Sequence, residues 1–291
     1  MTLLVYDPRE SRMNQKQILM VTIAQALQKA GMAALDARML LAAMLRVSEV
    51  HLIAHNEQVL SAAEHERFRA LVARRASGEP LAYITGEREF FSRSFHVTPA
   101  VLIPRPETEL LVELALERLP SHAKASVLDL GTGSGCIAIS IALARGGARV
   151  TATDESAEAL AVARGNASRL GASNVEFVHG SWFDPLGEQR FDLIVSNPPY
   201  VAQGDAHLTQ GDLRFEPPAA LSSGDDGLAD LRIIIKNARA HLTAGGWLLF
   251  EHGYDQATRC RALLAQAGLD DVQSWRDLAG IERVSGGRAP L

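Results

Sequence analysis

From Ser126 onward the chain alternates between short hydrophobic runs and longer segments of helical periodicity, and this rhythm limits the folds open to it. The runs predict seven strands, at Val127–Leu130, Arg149–Thr153, Val175–His179, Phe191–Ser196, Gly246–Glu251, Val272–Trp275 and Arg283–Ser285. The intervening segments predict helices at about Gly135–Arg145, Glu158–Leu170, Asp230–Ala240 and Gln256–Ala267. Such alternation favours an α/β fold with a mostly parallel sheet covered by helices on both faces. Since no helix fits between the last two strands, they predict an antiparallel pair at one edge.

The first third of the chain has a different pattern. Leu, Met and Ala recur at helical spacing from about Gln15 to Ala76, which predicts a small helical bundle with helix N-caps at Ser48 and Ser61. Aromatic and polar residues then alternate through Tyr83–Gly86, Glu89–Phe91 and Phe95–Val97, which predicts a connecting β-hairpin. The expected domains are an extension without fixed structure over 1–14, a substrate-recognising bundle over 15–78, a linker hairpin over 79–101 and the α/β domain over 102–291.

Composition excludes several classes of protein. A net charge of -5 over 291 residues argues against a globally basic nucleic-acid binder. The two cysteines, Cys136 and Cys260, are far apart and belong to no CxxC pair or Cys/His cluster, so neither a disulfide nor a metal site is predicted. Free thiols fit the cytoplasm. We expect no membrane span and no secretory signal, because the chain has no apolar run of suitable length or position.

A glycine loop follows the first strand of the α/β region. Asp129 lies in the strand, and Gly131, Thr132, Gly133, Ser134 and Gly135 follow as G-x-G-x-G. Glycines let a backbone approach a ligand closely, and ligands of open α/β sheets lie beyond the carboxyl ends of strands. A dinucleotide fold requires G-x-G-x-x-G, but Cys136 stands at the third glycine position, and no phosphate-loop Lys-Ser/Thr follows. The loop therefore suits a cofactor without pyrophosphate that presents an amino acid and a nucleoside, namely S-adenosylmethionine.

Two residues beyond the next strands extend this cofactor site. Asp154 ends the second strand, about twenty residues after the glycines, where a carboxylate can accept hydrogen bonds from both ribose hydroxyls. The alternative for Asp154 is a solvent-facing residue that caps the helix beginning at Ser156. Trp182 follows the third strand and could cover an adenine ring, or it could be a core aromatic at the sheet edge.

The fourth strand runs directly into Asn197, Pro198, Pro199 and Tyr200. The prolines lack N–H groups and stiffen the backbone, so that its carbonyls can face a ligand. The Asn197 amide offers an acceptor and two donors, and Tyr200 offers a flat apolar face. Together these residues could hold a planar amino group by accepting its N–H bonds and stacking on its plane. An Asn-Pro turn at a strand end is the simpler alternative.

Taken together, the glycine loop with Asp129 and Asp154 resembles that of a class I S-adenosylmethionine-dependent methyltransferase, which implies a Rossmann-like, seven-stranded sheet. The Asn-Pro-Pro-Tyr segment resembles that of methyltransferases acting on planar nitrogens, including adenine-N6, guanine-N2 and glutamine-N5 enzymes. Four further segments resemble the HemK family, at Gly86–Phe90, Leu102–Glu109, Arg214–Pro217 and Glu251–Gly253.

HemK enzymes are protein-(glutamine-N5) methyltransferases, and the resemblance implies methylation of the Gly-Gly-Gln glutamine of class I peptide chain release factors. It implies that Gly131–Gly135, Asp154, Trp182 and Asn197 bind S-adenosylmethionine. It also implies that Asn197–Tyr200 hold the substrate amide, with Asn197 and Pro198 as the catalytic groups. Arg105 and Glu216 are weaker candidates for shaping the pocket, and no role is assigned to His252.

Three other functions remain to be weighed against this one. A nucleic-acid amino methyltransferase could use the same Asn-Pro-Pro-Tyr, but it would need a basic surface along the phosphate backbone, which the acidic balance disfavours. A non-catalytic binding protein is disfavoured because the glycine loop and Asn197 are both intact. A nicotinamide-dependent oxidoreductase is disfavoured by Cys136 in the loop. The expected partner is thus a protein substrate, without membrane or direct nucleic-acid binding.

Overall fold

The computed structural model describes residues 20–120 and 124–291, and its contacts divide the chain into two units between Thr85 and Gly86. The extension expected over 1–14 and the expected start of the bundle at Gln15 lie outside the described residues. No helix in the described ranges is long and apolar enough to cross a membrane.

The N-terminal unit is helical, as predicted. Its helices are α1 (Ile23–Gln28), α2 (Ala34–Leu45), α3 (Glu49–Ala54), α4 (Ala62–Ala76) and α5 (Leu81–Thr85), and a short bridge pairs β1 (Val21–Thr22) with β2 (Val59–Leu60). Leu40, Leu41 and Phe68 are buried at the centre of this unit. The predicted caps are confirmed: the Ser48 side chain accepts from the His51 amide, and Ser61 forms a capping box with Glu64.

The prediction of a strand at Tyr83–Gly86 is wrong, because this segment forms helix α5. The Pro80 carbonyl accepts hydrogen bonds from the amides of Tyr83 and Ile84, at 3.0 and 3.1 Å, and so starts a helical turn. The hairpin itself is present, with β3 (Glu87–Phe90) paired to β4 (Arg93–His96). Phe91 and Ser92 form its turn with φ values of 49° and 58°, the left-handed conformation that two-residue hairpin turns favour.

A seven-stranded sheet organises the C-terminal unit, and the predicted alternation is confirmed. Its strands are β5 (Ser126–Leu130), β6 (Arg149–Asp154), β7 (Val175–His179), β8 (Phe191–Ser196), β9 (Leu242–Glu251), β10 (Asp270–Arg276) and β11 (Glu282–Arg288). They lie in the order β10-β11-β9-β8-β5-β6-β7, and β11 runs in the opposite direction to the other six strands of this sheet. The strand order reverses between β5 and β8, which is the point where open α/β sheets form ligand crevices.

Helices cover both faces of this sheet. They are α6 (Glu109–Arg118), α7 (Cys136–Ala144), α8 (Ala157–Leu170), α9 (Ala229–His241) and α10 (Ala257–Gln266), and a 3-10 turn at Pro106–Thr108 leads into α6. Alternate strand residues face opposite layers, so Val127 and Val195 belong to one core cluster while Leu128 and Ile194 belong to the other. The apolar layers fix the strands, and the loops at their carboxyl ends are left to form a site.

Candidate active site

A cavity of about 420 Å³ lies beyond the carboxyl ends of β5, β6 and β8. This volume is in the usual range for small-molecule sites, about 300–1,000 Å³. Most of the site residues predicted from the sequence line it: Gly131, Thr132, Gly133, Ser134, Asp154, Trp182, Asn197 and Pro199. The cavity is also lined by Arg105 and Thr108, whereas Gly135, Pro198 and Tyr200 are not among its lining residues. The fold therefore brings the glycine loop and the Asn-Pro-Pro-Tyr segment to one cavity.

The glycine loop turns sharply between β5 and α7. Gly131, Gly133 and Gly135 have φ values of 69°, 54° and 81°, in the left-handed region that glycine adopts without a steric cost. Its amides are held by β6: those of Gly131 and Thr132 both donate to the Thr153 carbonyl at 2.9 Å. The loop is thus a rigid backbone surface that a ligand can approach closely.

Gly135 should not tolerate a side chain, whereas Gly165 should. A Cβ on Gly135 would lie 2.8 Å from Cδ1 of Ile139 and 3.2 Å from Cβ of Ala163, at a φ of 81°. We expect Gly135→Ala to destabilise the protein by more than about 1 kcal/mol. Gly165 lies inside α8 with open space around it, so Gly165→Ala should stabilise by about 0.5–1 kcal/mol. Urea unfolding of both variants measures this contrast, and equal effects would contradict it.

Asp129 holds the glycine loop through hydrogen bonds to its side chain. Its carboxylate is fully buried, and Oδ2 accepts hydrogen bonds from Thr132 Oγ1 at 2.7 Å and from the Ala138 amide at 3.2 Å. Within the described residues Oδ1 has no hydrogen-bond partner. Burial raises the pKa of Asp129 to about 7, against the opposing effect of the two hydrogen bonds. Asp129 therefore connects the strand, the loop and the first turn of α7.

Asp154 faces both the loop and the following helix. Its Oδ2 accepts from the Gly133 amide at 2.8 Å and its Oδ1 accepts from the Ser156 amide at 2.9 Å. Burial raises its pKa above the ordinary value, although both hydrogen bonds oppose that shift. Each carboxylate oxygen can accept a further bond. Asp154 therefore contacts the Ser156 amide at the start of α8 and also lines the cavity.

Trp182 forms a wall of the cavity beside the loop. A Cβ on Gly131 would lie 3.2 Å from Cζ3 of Trp182, so only glycine leaves this contact relaxed. The Trp182 backbone has a φ of 44°, and its carbonyl accepts from Thr153 Oγ1 at 3.2 Å. An aromatic ring is therefore held against the glycine loop at the cavity surface.

Asn197 is oriented by residues distant in the sequence. Its Nδ2 donates to Thr108 Oγ1 at 3.1 Å, and its buried Oδ1 has no hydrogen-bond partner among the described residues. The preceding residue, Ser196, donates through Oγ to the Leu130 carbonyl at 2.8 Å, which ties the end of β8 to β5. A buried amide oxygen without a partner is costly unless a ligand supplies a donor.

Tyr200 contacts a carboxylate behind the cavity. Its hydroxyl donates to Glu251 Oε1 at 3.1 Å, and burial raises the pKa of the phenol. Glu251 Oε2 also accepts from Thr108 Oγ1 at 2.6 Å, and both Glu251 and Thr108 are buried. Burial raises the pKa of Glu251 as well. Both residues lie in segments that resemble the HemK family, but the sequence does not show their contact, because they are 143 positions apart and meet only in the folded protein.

Arg105 and Glu216 form a second contact at the cavity. Arg105 Nη2 donates to Glu216 Oε1 at 2.5 Å, and the Ile103 amide donates to Glu216 Oε2 at 3.1 Å. Glu216 is buried, and Arg105 lines the cavity. The pair therefore joins the segment before α6 to the loop that follows β8.

His252 and the thiols lie in the protein interior. The His252 ring bonds the Gly253 carbonyl and Ser285 Oγ, both at 2.8 Å, and burial lowers its pKa. Burial raises the pKa of both Cys136 and Cys260 to about 12, so these thiols are not nucleophiles at neutral pH. Across residues 20–120 and 124–291, no group of three or more His, Cys, Asp or Glu residues could hold a metal ion.

Comparisons with known proteins show which family this chain resembles in sequence and which structures it resembles in fold. The family model described as the methyltransferase small domain matches residues 107–256, and the one described as the PrmC N-terminal domain matches residues 19–86. A Bordetella pertussis protein named release factor glutamine methyltransferase is 55% identical, over 92% of this chain and 99% of its own length. A Burkholderia pseudomallei protein of the same name is 51% identical, over 96% of this chain and 100% of its own. In fold, a methyltransferase from Pyrococcus furiosus is similar with a TM-score of 0.53 and 20% identity, over 75% of this chain and 98% of that chain.

Proposed function

The chain belongs to the family of release factor glutamine methyltransferases, and we propose that its cavity transfers the methyl group of S-adenosylmethionine to the side-chain amide nitrogen of a release factor glutamine. The glutamine is that of the Gly-Gly-Gln motif of class I release factors. The observation that carries this proposal is the Asn197 amide: its buried oxygen has no hydrogen-bond partner in the described part of the chain, and Asn197 lines the same cavity as the glycine loop. An acceptor beside a cofactor loop suits a planar N–H₂ group.

Gly131 to Gly135, Asp154, Trp182 and Asn197 would hold the cofactor. Their chemistry fits it, because a glycine backbone, a carboxylate and an aromatic ring suit an amino acid, a ribose and an adenine. When bound, S-adenosylmethionine supplies an electrophilic methyl group. Asp154 keeps acceptor capacity for ribose hydroxyls beyond its bonds to the Gly133 and Ser156 amides.

Asn197 and Pro198 would act on the substrate amide. An amide nitrogen is a poor nucleophile because its lone pair is delocalised into the carbonyl. The Asn197 Oδ1 and the Pro198 carbonyl would accept its two N–H bonds and stabilise the positive charge that develops on nitrogen. Pro199 and Tyr200 would hold the plane of the amide, and fixed placement of two reactants contributes up to about 7–11 kcal/mol in ideal cases. The proton can leave after transfer, so neither His252 nor a carboxylate is needed as a base.

The helical bundle over 15–78 would recognise the release factor, and the segment over 79–101, which contains the β3–β4 hairpin, would connect it to the methyltransferase domain over 102–291. The partner of this enzyme would then be a protein that works in the cytoplasm.

Methyl transfer from labelled S-adenosylmethionine tests the proposal. We expect label on a class I release factor and none on the same factor with its Gly-Gly-Gln glutamine replaced by alanine. Duplex DNA and ribosomal RNA serve as parallel acceptors, and we expect no label on either. Label on nucleic acid with none on the factor would overturn the assignment in favour of a nucleic-acid amino methyltransferase.

A further inference from the structure

A buried row of hydrogen bonds runs from the cavity into the protein interior. It starts at Asn197 Nδ2, passes through Thr108 Oγ1 and ends at Glu251, with donor–acceptor distances of 3.1 and 2.6 Å. The strands place its ends side by side, because Ser196 is the register partner of Phe250 and the next residues are Asn197 and Glu251. Tyr200 OH donates to the other Glu251 oxygen. Both carboxylate oxygens of Glu251 therefore have a donor.

The donor and acceptor properties of these groups determine which group donates in each hydrogen bond of the row. An ionised carboxylate only accepts hydrogen bonds, and a threonine hydroxyl has a single proton. Since Thr108 gives that proton to Glu251, its oxygen can only accept from Asn197. Asn197 must then present its NH₂ group to Thr108, and its amide oxygen is turned away from Thr108. In its ionised form, Glu251 thus determines which end of the Asn197 amide is left for a ligand.

We propose that Glu251, acting through Thr108, is a positioning residue that keeps the oxygen of the Asn197 amide, and not its nitrogen, available to the substrate amide. The inference rests on the proposed function, in which that oxygen accepts an N–H bond of the glutamine. With a neutral donor at position 251, Thr108 could give its proton to Asn197 instead. The Asn197 amide would then rotate by 180° and set an NH₂ group against the NH₂ of the substrate.

If Glu251 served only to stabilise the fold, glutamine would be an adequate replacement at this position. A carboxylate buried from water is costly, whereas glutamine of the same shape keeps an oxygen and adds donors. The titratable groups that interact electrostatically with Glu251 are Tyr200, Arg283, Glu107 and Cys136, from four different segments. Burial, with a smaller effect of Glu107, raises the pKa of Glu251, whereas the hydrogen bonds from Thr108 and Tyr200 and the charge of Arg283 favour its ionised form. Activity should accordingly fall as pH decreases through the raised pKa, because protonated Glu251 can itself donate to Thr108.

The test is Glu251→Gln in the full-length chain, with a release factor as substrate. We expect kcat to fall about tenfold or more, because the NH₂ group of the rotated Asn197 amide would then face the NH₂ donor of the substrate. The KM for the factor and the calorimetric affinity for S-adenosylmethionine should change less than threefold. Wild type should show an acidic limb in its pH profile of kcat, and Glu251→Gln should lack it.

Matched variants separate positioning from folding. Glu109→Gln makes the same change one residue after Thr108, where the carboxylate accepts from the Phe91 amide and is not part of the row. We expect its kcat to stay within twofold of wild type. Thr108→Ser keeps the hydroxyl and should keep most of kcat, whereas Thr108→Val should lose about as much as Glu251→Gln. If thermal unfolding shows that Glu251→Gln does not fold, the comparison of kcat between Thr108→Ser and Thr108→Val decides the question.

Wild-type kcat in folded Glu251→Gln, together with a strong loss in Asn197→Ala, would overturn the inference and leave the proposed function intact. Equal losses in Thr108→Ser and Thr108→Val would also overturn it. Full activity in Asn197→Ala would instead contradict the proposed function itself.

Discussion

Asn197→Ala should lower kcat for methyl transfer by about 100- to 1,000-fold, the usual effect of removing one fixed polar group that stabilises a transition state. The loss follows from Oδ1, which has no hydrogen-bond partner within residues 20–120 and 124–291 and which we expect to accept an N–H bond of the substrate glutamine. Binding of S-adenosylmethionine should weaken far less, because the glycine loop and Asp154 remain. Steady-state kinetics with a release factor and calorimetry with the cofactor measure the two effects separately.

Asn237→Ala is a suitable control for that loss. Asn237 is exposed on α9, where its Nδ2 donates to the Ile233 carbonyl at 2.8 Å, so its replacement should leave kcat unchanged. Parallel losses of kcat and cofactor affinity in Asn197→Ala would point to a collapsed cavity. Normal turnover would remove Asn197 from the mechanism.

Asp154→Ala should weaken the affinity for S-adenosylmethionine by about 10- to 100-fold. Hydrogen bonds to charged groups contribute about 1.5–3 kcal/mol each, and the variant would lose those expected from the ribose hydroxyls. It would also remove the acceptor of the Gly133 amide, so the glycine loop would be less ordered before binding. Calorimetric titration of the free enzyme with the cofactor gives this result directly.

Glu176→Ala provides a comparison for Asp154→Ala on the neighbouring strand. Glu176 is exposed on β7 and outside the cavity lining, so cofactor affinity should not change. If Asp154→Ala lowers the melting temperature but leaves affinity at the wild-type value, Asp154 serves only to anchor the loop and the start of α8.

The sequence predicted the sheet well because each central strand is buried on both faces. The bounds of the central strand Phe191–Ser196 agree with the structure residue for residue, and so do those of the edge strand Val175–His179, although none of its residues is buried. By contrast, β9 begins at Leu242 and not at Gly246, because a register shift opposite Phe191 and a left-handed Gly245 interrupt the hydrophobic pattern. Tyr83–Thr85 has the alternation of a strand, yet the preceding Pro80 carbonyl starts a helix there.

The candidate site was predictable only where local chemistry marked it. The glycine loop and the Asn-Pro-Pro-Tyr segment each combine unusual residues at fixed spacing after a strand. Thr108 and Glu251 lie in segments that resemble the HemK family, but their residue types indicate no role, because a threonine at a helix start and a glutamate at a strand end are ordinary. Their contact depends on the register of β8 with β9 and on the position of the turn before α6, which arise from tertiary packing.

The reversal of strand order between β5 and β8 divides the site by origin. Residues expected to hold the methyl donor come mainly from β5, β6 and β7 and their loops, and those expected to hold the acceptor come from β8 and β9. Apart from Ser196, which donates to the Leu130 carbonyl, and Asn197, which is expected to contact both molecules, mutations on the β8 side should therefore affect acceptor binding more than cofactor binding. For an evolving lineage, such a sheet allows the methylated molecule to change while the source of the methyl group stays the same.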